Sequence, residues 1–268
     1  IFWREVSGPS PRGVSSVWIL IHGDFSDGPG TWSDQMRAVA PGQRLVVIDR
    51  RGCGASPQGP LPYTIAGDAR DTLDVAERAG VTSFHLVGHS YGALVALEVV
   101  RQRPEAVASL HLIEPPYLSL LPHDPDVASL YRQVEQLLEQ ARDADAQQLA
   151  TAFFTMLGGP GWVDHLKTTP AWAGIVREAR RAVQQQHAGS YPPDALAALT
   201  GPPGGGEPAW RGPVRIYTGG RSHPALRKLA YHLASLIPGA RLIDIPEATH
   251  SVQRAGEPFQ RAMLEGLA

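Results

Sequence analysis

The sequence is poor in the residues that mark disulfide-rich, metal-binding and nucleic-acid-binding proteins. Cys53 is the single cysteine among 268 residues, which excludes an internal disulfide framework and a cysteine-based metal cluster. Lysine occurs only at Lys167 and Lys228, asparagine is absent, and the formal net charge is −2. Because no basic stripe is available to meet a phosphate backbone, we expect no nucleic-acid partner.

Long hydrophobic runs are also missing. The most apolar stretches, VWILI and RLVVI, have the length of strands and fall far short of the ~20 residues of a membrane span. The first residues, IFWREVSGP, have neither a charged n-region nor an apolar core of the signal-peptide type. We therefore expect a cytoplasmic protein with no membrane partner, built as one large α/β domain.

Strand and helix patterns alternate along the first part of the chain. Short β-branched and apolar runs each lead into a glycine-rich turn or a helical pattern, as buried parallel strands do. These runs are SVWILIHGD, RLVVIDRRGCGAS, SFHLVGHSYGAL and SLHLIEPP. The alternation predicts an α/β fold with a doubly wound, mostly parallel sheet.

The alternation stops after Pro116. From about Asp124 to Leu199 the apolar residues have helical spacing almost throughout, and a linker rich in Gly and Pro follows before strand patterns return. We therefore expect an all-helical cap inserted into the α/β core. The predicted boundaries are 1–116 and 209–268 for the core and 117–208 for the cap with its return linker.

A G-x-S-x-G motif, Gly88-His89-Ser90-Tyr91-Gly92, lies between a strand pattern and a helix pattern. In this context the motif is typical of a nucleophile elbow. The glycines let neighbouring backbone pass close to the turn, so that the serine oxygen stands clear at the carboxyl edge of the sheet. We expect Ser90 to be a nucleophile.

A serine nucleophile needs a base, because a protonated hydroxyl is a poor nucleophile. His250, in PEATHSV, follows the last strand pattern and precedes a C-terminal helix, so it can reach back over the sheet edge. We expect it to be the base. Other histidines, His123, His165 and His187, show no metal-ligand spacing with a nearby carboxylate, and we expect neither metal nor cofactor.

An oxyanion hole requires two N–H donors aimed at the developing negative charge. We expect one from the backbone of Tyr91, directly after the nucleophile, and one from the backbone of Asp24 in the loop after LIHG. A carboxylate is unfavourable beside an oxyanion. The side chain of Asp24 must therefore turn away or find a partner.

The motifs LIHG, DRRGCGAS, GHSYGA, GGRSHP and ATHSV, in this order and with a helical insert, resemble the α/β-hydrolase superfamily over nearly the whole chain. The resemblance implies the α/β-hydrolase fold. A serine at the elbow, in place of the aspartate of haloalkane dehalogenases and epoxide hydrolases, implies acyl transfer to water.

The third catalytic residue does not stand where the resemblance implies. In most of the superfamily an aspartate follows the strand that here reads VRIYTGG, but this chain continues RSHP, with Ser222 at that place. Glu114 closes SLHLIEPP, one strand after the nucleophile, and the carboxyl ends of these neighbouring strands lie side by side. We expect Glu114 to orient His250, an arrangement similar to that of zearalenone-type lactonases, with Ser222 and Asp244 as the alternatives.

The substrate pocket is expected above Ser90. Three aromatic residues are its predicted lining: Phe25, Phe153 and Trp172. Four arginines are candidates for one rim: Arg132, Arg177, Arg180 and Arg181. The apolar cap favours a small to medium, mostly apolar substrate.

Together these residues predict a serine hydrolase that cleaves a carboxylic ester or lactone of a small molecule through an acyl-enzyme. Two other functions fit the same residues. One is hydrolysis of a C–C bond in an aromatic ring-cleavage product, which uses the same triad. The other is a non-catalytic ligand-binding protein of this fold, because fold alone does not guarantee activity.

Overall fold

A computed structural model describes residues 1–9, 13, 16–141 and 143–264. Its centre is one sheet of seven strands: β1 (Trp3–Ser7), β2 (Ser16–Ile21), β3 (Gln43–Ile48), β4 (Phe84–His89), β5 (Val107–Ile113), β6 (Val214–Gly219) and β7 (Arg241–Ile245). The central strands carry runs of Val, Ile and Leu that are buried on both faces, as a sheet covered by helices requires.

The strands are ordered β1-β3-β2-β4-β5-β6-β7. Strand β1 is antiparallel to β3, and every other neighbouring pair is parallel. The carboxyl ends of β2 to β7 therefore lie along one edge of the sheet. In an open α/β sheet this edge is where ligands bind.

Ten α-helices connect and cover the strands: α1 (Gly28–Arg37), α2 (Ile65–Arg78), α3 (Tyr91–Gln102), α4 (Pro125–Gln140), α5 (Ala146–Gly158), α6 (Pro160–Lys167), α7 (Ala171–Ala182), α8 (Ala197–Thr200), α9 (Pro224–Leu236) and α10 (Glu257–Leu264). Side chains of α2, α3 and α9 pack on one face of the sheet, and those of α1 and α10 pack on the other. The predicted α/β fold with a doubly wound, mostly parallel sheet is confirmed.

Helices α4 to α8 occupy the chain between β5 and β6, so they form an insert in the α/β order. The apolar side chains of α4 to α7 make two clusters apart from the sheet core, whereas Leu199 of α8 belongs to the sheet core. One cluster joins α4, α5, α6 and α7 around Leu149 and Phe154, and the other sets α4 and α5 against Leu226 and Leu229 of α9. Helices α4 to α7 thus have their own packing and contact the core through α9.

Among the helices that the structure describes, none is both long and apolar enough to cross a membrane.

Candidate active site

Ser90 occupies a strained turn between β4 and α3. Its φ of 53° lies in the left-handed region, which non-glycine residues avoid because Cβ crowds the backbone there. The turn is held by two hydrogen bonds: the Ser90 N–H donates to the carbonyl of Ile113 (2.8 Å), and the Ala93 N–H donates to the carbonyl of Ser90 (2.8 Å). Strain that the surroundings hold in this way is common at catalytic residues.

The glycines of the motif are required by close packing. A Cβ on Gly88 would stand 2.3 Å from the carbonyl oxygen of Gly92, and one on Gly92 would stand 2.5 Å from the carbonyl oxygen of His22. A Cβ on Gly23 would stand 2.9 Å from Cβ of Ser90. Each contact is closer than real Cβ atoms allow, so the elbow forms only where glycine lets the backbones meet.

His250 is paired with Glu114. Nδ1 of His250 donates to Oε2 of Glu114 at 2.7 Å, and both side chains are buried. His250 follows β7, whereas Glu114 directly follows β5, so the pair bridges the carboxyl edge of the sheet. A carboxylate in this place fixes the Nδ1–H tautomer and leaves Nε2 free to act as a base.

Glu114 is itself firmly held. Its other oxygen, Oε1, accepts hydrogen bonds from Oγ1 of Thr218 (2.9 Å) and from the Gly219 N–H (2.9 Å) at the end of β6. Its φ of 45° is in the left-handed region, and its own N–H donates to the carbonyl of Tyr217 (3.0 Å). Strands β5 and β6 thus fix the carboxylate beneath His250.

The two alternative acids have other surroundings. Asp244 accepts from Nη2 of Arg227 (2.8 Å) and from the hydroxyl of Tyr231 (2.9 Å), on the α9 side of β7. The Ser222 hydroxyl is buried, with no hydrogen-bond partner among the described residues. Neither forms a hydrogen bond with His250 in the described part of the chain.

Ser90 and His250 line the same cavities, although no hydrogen bond joins the Ser90 hydroxyl to His250 within the described ranges. Such bonds are often long without substrate and shorten in the complex. The ring of His89 lies beside that of His250, with 4.8 Å between centroids, and Nε2–H of His89 donates to the His250 carbonyl at 2.9 Å. His89, the residue before Ser90, therefore fixes the loop that carries His250.

The side chain of Asp24 is paired with a buried arginine. Nη2 of Arg50 donates to Asp24 Oδ1 at 2.7 Å and to the carbonyl of Gly23 at 2.9 Å. Burial alone would lower the pKa of Arg50, but Asp24 and Asp68 raise it above its ordinary value. The Asp24 carboxylate is thereby directed to the guanidinium, and Asp24 is among the residues that line the cavity.

The arginine pair extends into the insert. Asp68 of α2 accepts from Nη1 of Arg50 (3.1 Å) and from Nη2 of Arg181 in α7 (2.8 Å), and all three side chains are at most 3% exposed. Gln185 accepts from both guanidinium groups. A buried network of two cations and two carboxylates, called the arginine network below, thus connects the Asp24 loop to the insert.

Two neighbouring side chains are held uncharged. His22 donates from Nδ1 to the carbonyl of Gly23 (2.7 Å) and accepts at Nε2 from the Arg50 N–H (2.9 Å), which requires a neutral ring. Burial, with the charge of Arg50, holds the pKa of His22 well below its ordinary value. Burial also raises the pKa of the Cys53 thiol to about 12, so this cysteine is no nucleophile at neutral pH.

Two spaces meet at Ser90. The inner cavity, about 80 Å³, is lined mainly by apolar side chains of α4 and α5, with Gln185, Gln186 and His187 as a polar side. The outer cleft, about 1150 Å³, is larger and more polar, and it is bounded by α6, α7 and the loop around His250. Ser90, Asp24, Phe25, Phe153 and His250 line both.

The predicted lining residues separate into two groups. Phe25 and Phe153 lie at the junction of the two spaces, stacked with 4.3 Å between ring centroids. Trp172 is not part of the lining of either space, which corrects the prediction. It packs within the insert, where Nζ of Lys167 lies 5.8 Å from the centroid of its ring. The face of α7 that carries Trp172 is turned toward α5 and α6, away from the two spaces.

Most of the four arginines that were predicted to line one rim of the pocket lie elsewhere. Arg181 is buried on Asp68, and Arg180 donates to the carbonyls of Ala141 and Ala144. Arg132 does not line either space, whereas Arg177 lines the outer cleft and is paired with Asp27 (2.8 Å). Within residues 1–9, 13, 16–141 and 143–264, no group of three His, Cys, Asp or Glu is arranged to hold a metal ion.

Sequence reasoning missed the roles of Arg50 and Asp68. Arg50 was not singled out. It follows Asp49 just after the apolar end of β3, and this was the available indication, because such a position is buried and its charge needs a partner.

Comparisons with known proteins agree with this fold. A sequence profile described as alpha/beta hydrolase fold matches residues 18–254. The "Putative carbamate hydrolase RutD" of Klebsiella pneumoniae (strain 342) is 39% identical over 117 residues, which are 43% of this chain and 43% of that protein. The aligned part is therefore less than half of this relative's length.

Two other similarities cover more of the chain. A protein of the same name from Pseudomonas savastanoi pv. phaseolicola (strain 1448A / Race 6) is 28% identical over 253 residues, 88% of each chain. The crystal structure of an alpha/beta hydrolase from Sphaerobacter thermophilus DSM 20745 superposes with a TM-score of 0.68 at 24% identity, covering 98% of this chain and 95% of that one.

Proposed function

The chain belongs to the α/β-hydrolase family, and on this premise we propose that it is a serine hydrolase that cleaves a carboxylic ester or lactone through an acyl-enzyme. The observation that carries the proposal is the meeting of Ser90, in its strained turn, and the buried His250–Glu114 pair at one cavity. A nucleophile, a base and an oriented carboxylate at one sheet edge support acyl transfer.

In the proposed reaction the Ser90 oxygen attacks the carbonyl carbon while Nε2 of His250 takes its proton. The backbone N–H groups of Asp24 and Tyr91 bind the oxyanion of the tetrahedral intermediate. His250 then returns the proton to the departing alcohol, which leaves an acyl group on Ser90. Water, deprotonated by His250, attacks this acyl-enzyme, and the acid and free Ser90 are released.

Glu114 is the positioning residue for the base. Its carboxylate holds the Nδ1–H of His250 and balances the imidazolium charge that forms in both transition states. Thr218 and Gly219 donate to the other carboxylate oxygen and keep it from rotating away. We propose residues 117–208 as a cap that closes the reaction space.

The lining supports a small-molecule substrate with an apolar limb. Leu118, Leu130, Val134, Leu137 and Met156 are among the side chains around the inner cavity. Such a surface favours an alkyl or aryl group. Because relatives are named for carbamate hydrolysis, carbamate esters belong in the same assay.

The test is hydrolysis of p-nitrophenyl esters of two to ten carbons, a lactone series and a p-nitrophenyl carbamate by the wild type and Ser90→Ala. We expect turnover of esters or lactones in the wild type and a loss of at least about 10³-fold in the variant. A fluorophosphonate probe should label the wild type at Ser90. Unlabelled wild-type protein, or full activity in Ser90→Ala, would contradict the proposal.

A further inference from the structure

The peptide bond between Gly23 and Asp24 is held by its carbonyl oxygen. This oxygen accepts hydrogen bonds from Nδ1 of His22 (2.7 Å) and from Nη2 of Arg50 (2.9 Å), and both donor side chains are buried. The two donor residues are also joined to each other, because the backbone N–H of Arg50 donates to Nε2 of His22 at 2.9 Å. The Gly23 carbonyl therefore has a fixed direction, toward two buried donors.

The direction of this carbonyl sets the direction of the next backbone N–H. The peptide bond between Gly23 and Asp24 is trans. In a planar trans peptide the C=O and N–H groups point to opposite sides. The Asp24 N–H therefore points away from the side chains of Arg50 and His22, and it makes no hydrogen bond to any described residue. The N–H group that is proposed to bind the oxyanion thus has a fixed direction and is left for a ligand.

This peptide lies directly beside the nucleophile. A Cβ on Gly23 would stand 2.9 Å from Cβ of Ser90 and 3.0 Å from Nδ1 of His89, so position 23 requires glycine. Asp24 lines both of the spaces that meet at Ser90. Because glycine adopts many backbone conformations, the peptide that follows it turns over easily unless it is held. A peptide that has turned over would present its carbonyl oxygen to the oxyanion, in place of the N–H group, and would repel it.

We propose that Arg50 is the positioning residue of the oxyanion hole. Its guanidinium, with His22 as the second donor, holds the Gly23 carbonyl and so keeps the Asp24 N–H directed at the reacting carbonyl of the substrate. The same Nη2 donates to the Asp24 carboxylate at 2.7 Å, so one nitrogen holds the peptide through both of its residues. The proposal rests on the proposed function and adds a residue that stabilises the transition state through the peptide it holds.

The guanidinium of Arg50 is itself fixed. Its Nη1 donates to Asp68 of α2 at 3.1 Å, and its Cζ lies 4.8 Å from the ring centroid of Tyr91, whose backbone N–H is the other proposed oxyanion donor. Arginine is suited to this place because its planar group offers several donors in fixed directions. A lysine has one nitrogen and cannot hold Gly23, Asp24 and Asp68 in the same way.

The experiment compares Arg50→Lys with the wild type on the p-nitrophenyl ester that the wild type hydrolyses fastest. Two inhibitors with the same acyl chain are added, a trifluoromethyl ketone and a methyl ketone. The Ser90 oxygen adds to the carbonyl carbon of the trifluoromethyl ketone while His250 takes the proton, and the resulting hemiketal oxyanion occupies the oxyanion hole. The methyl ketone binds without this addition.

In Arg50→Lys we expect kcat to fall by about 10²-fold, with little change in KM. The inhibition constant Ki of the trifluoromethyl ketone should rise by a similar factor, because its oxyanion needs the same N–H group. The Ki of the methyl ketone should stay near its wild-type value. The pH dependence of kcat/KM, which reports His250, should keep its midpoint.

Two further variants make the result specific. Arg51→Lys is the matched control, because Arg51 is the next residue of the same loop and its Nε donates to Asp71 at 2.8 Å. It should leave kcat, KM and both Ki values unchanged. His22→Gln removes the Nδ1 donor to Gly23 but keeps an oxygen that can accept from the Arg50 N–H. It should give the same pattern as Arg50→Lys at about ten-fold, and it decides the question if Arg50→Lys does not fold.

Failure of this inference is distinct from failure of the proposed function. A lower kcat in Arg50→Lys with an unchanged Ki of the trifluoromethyl ketone, or an equal rise in both Ki values, would show that Arg50 only supports the fold, and would overturn the inference. The same losses in Arg51→Lys would also overturn it. The proposed function fails instead if the wild type hydrolyses no ester, or if Ser90→Ala binds the trifluoromethyl ketone as tightly as the wild type does.

Discussion

At the scale of single residues, Ser90 and Glu114 share an unusual backbone conformation. Both have a positive φ, and they directly follow the neighbouring strands β4 and β5. Each turn costs on the order of 1–3 kcal/mol, and such strain persists only where the surroundings fix it. In each case a hydrogen bond to the adjacent strand supplies that fixation, from Ser90 to Ile113 and from Glu114 to Tyr217. The same strained geometry that exposes the serine thus points the carboxylate at His250.

We predict that Glu114→Gln lowers kcat by about 10²- to 10⁴-fold with little change in KM. Thr218 and Gly219 donate to one carboxylate oxygen and His250 donates to the other, so all three groups need an acceptor. The glutamine amide has only one oxygen, so its NH₂ group must face one of these donors. The side chain at position 114 then either loses its hydrogen bonds to β6 or forces His250 to carry its proton on Nε2. Steady-state kinetics on a hydrolysed ester measure the effect.

Two matched variants identify the acid. Ser222→Ala and Asp244→Asn alter the alternative candidates, and each should leave kcat within about two-fold, because neither side chain forms a hydrogen bond with His250 among the described residues. Near-wild-type kcat in Glu114→Gln, or a large loss in either control, would refute the assignment.

Much of the candidate site could be predicted from the sequence at this scale. The order of Ser90 and His250, and the position of Glu114 at the end of a strand pattern, are evident in short stretches of the sequence. The buried partners of Asp24 were not predictable, because the arginine network joins Arg50, Asp68 and Arg181 across 131 positions of the chain. Contacts of this kind are set by the tertiary packing.

At the scale of elements, the insert is bound to the core through α7. The guanidinium of Arg181 is buried against Asp68 of α2, donates from Nε to the carbonyl of Arg51 (3.0 Å) and lies over the ring of Tyr63 (4.5 Å). The helical spacing from about Asp124 to Leu199 predicts this helical insert as a whole. It does not delimit α6, which begins at Pro160 directly after Gly159, because so short a helix between breakers has little periodicity.

We predict that Arg181→Met lowers the free energy of unfolding by about 3 kcal/mol, because it leaves a buried carboxylate short of one cation. Asp68 keeps Arg50, which limits the loss. Since Arg50 also holds Asp24, kcat for a hydrolysed ester should fall as well. Urea unfolding and steady-state kinetics measure the two effects.

The control for the arginine variant is Arg132→Met on α4, which is exposed and should change the free energy of unfolding by less than about 0.5 kcal/mol. In the double variant Asp68→Asn/Arg181→Met the loss should be smaller than the sum of the two single losses, because the pair is removed together. Additive losses would show that α7 is not held by this contact.

At the scale of the whole molecule, the core is unusually rich in neutral histidine. His22, His89 and His111 are buried, and burial holds the pKa of each well below its ordinary value, aided by Arg50, His250 and Arg215 respectively. His111 sits between two hydroxyl groups, Ser109 Oγ (3.0 Å) and Tyr217 Oη (2.8 Å). His22 directly follows β2, and His89 and His111 lie in β4 and β5. Protonation of these rings at low pH therefore destabilises the central sheet of the fold.

We predict that the free energy of unfolding falls as the pH drops below about 6.5, the ordinary pKa of histidine. Above that pH the three rings are neutral in both states and contribute no pH dependence. Below it the unfolded chain binds protons that the native state excludes, so stability rises with pH. Each ring then contributes up to about 1.4 kcal/mol per pH unit. Urea titrations at pH 7.5, 6.5 and 5.5 give this slope.

His111→Phe should reduce the slope below pH 6.5 by one ring's share. A slope of zero between pH 6.5 and 5.5 would show that the buried rings are protonated in the native state, contrary to the hydrogen bonds that His22 makes as donor and acceptor.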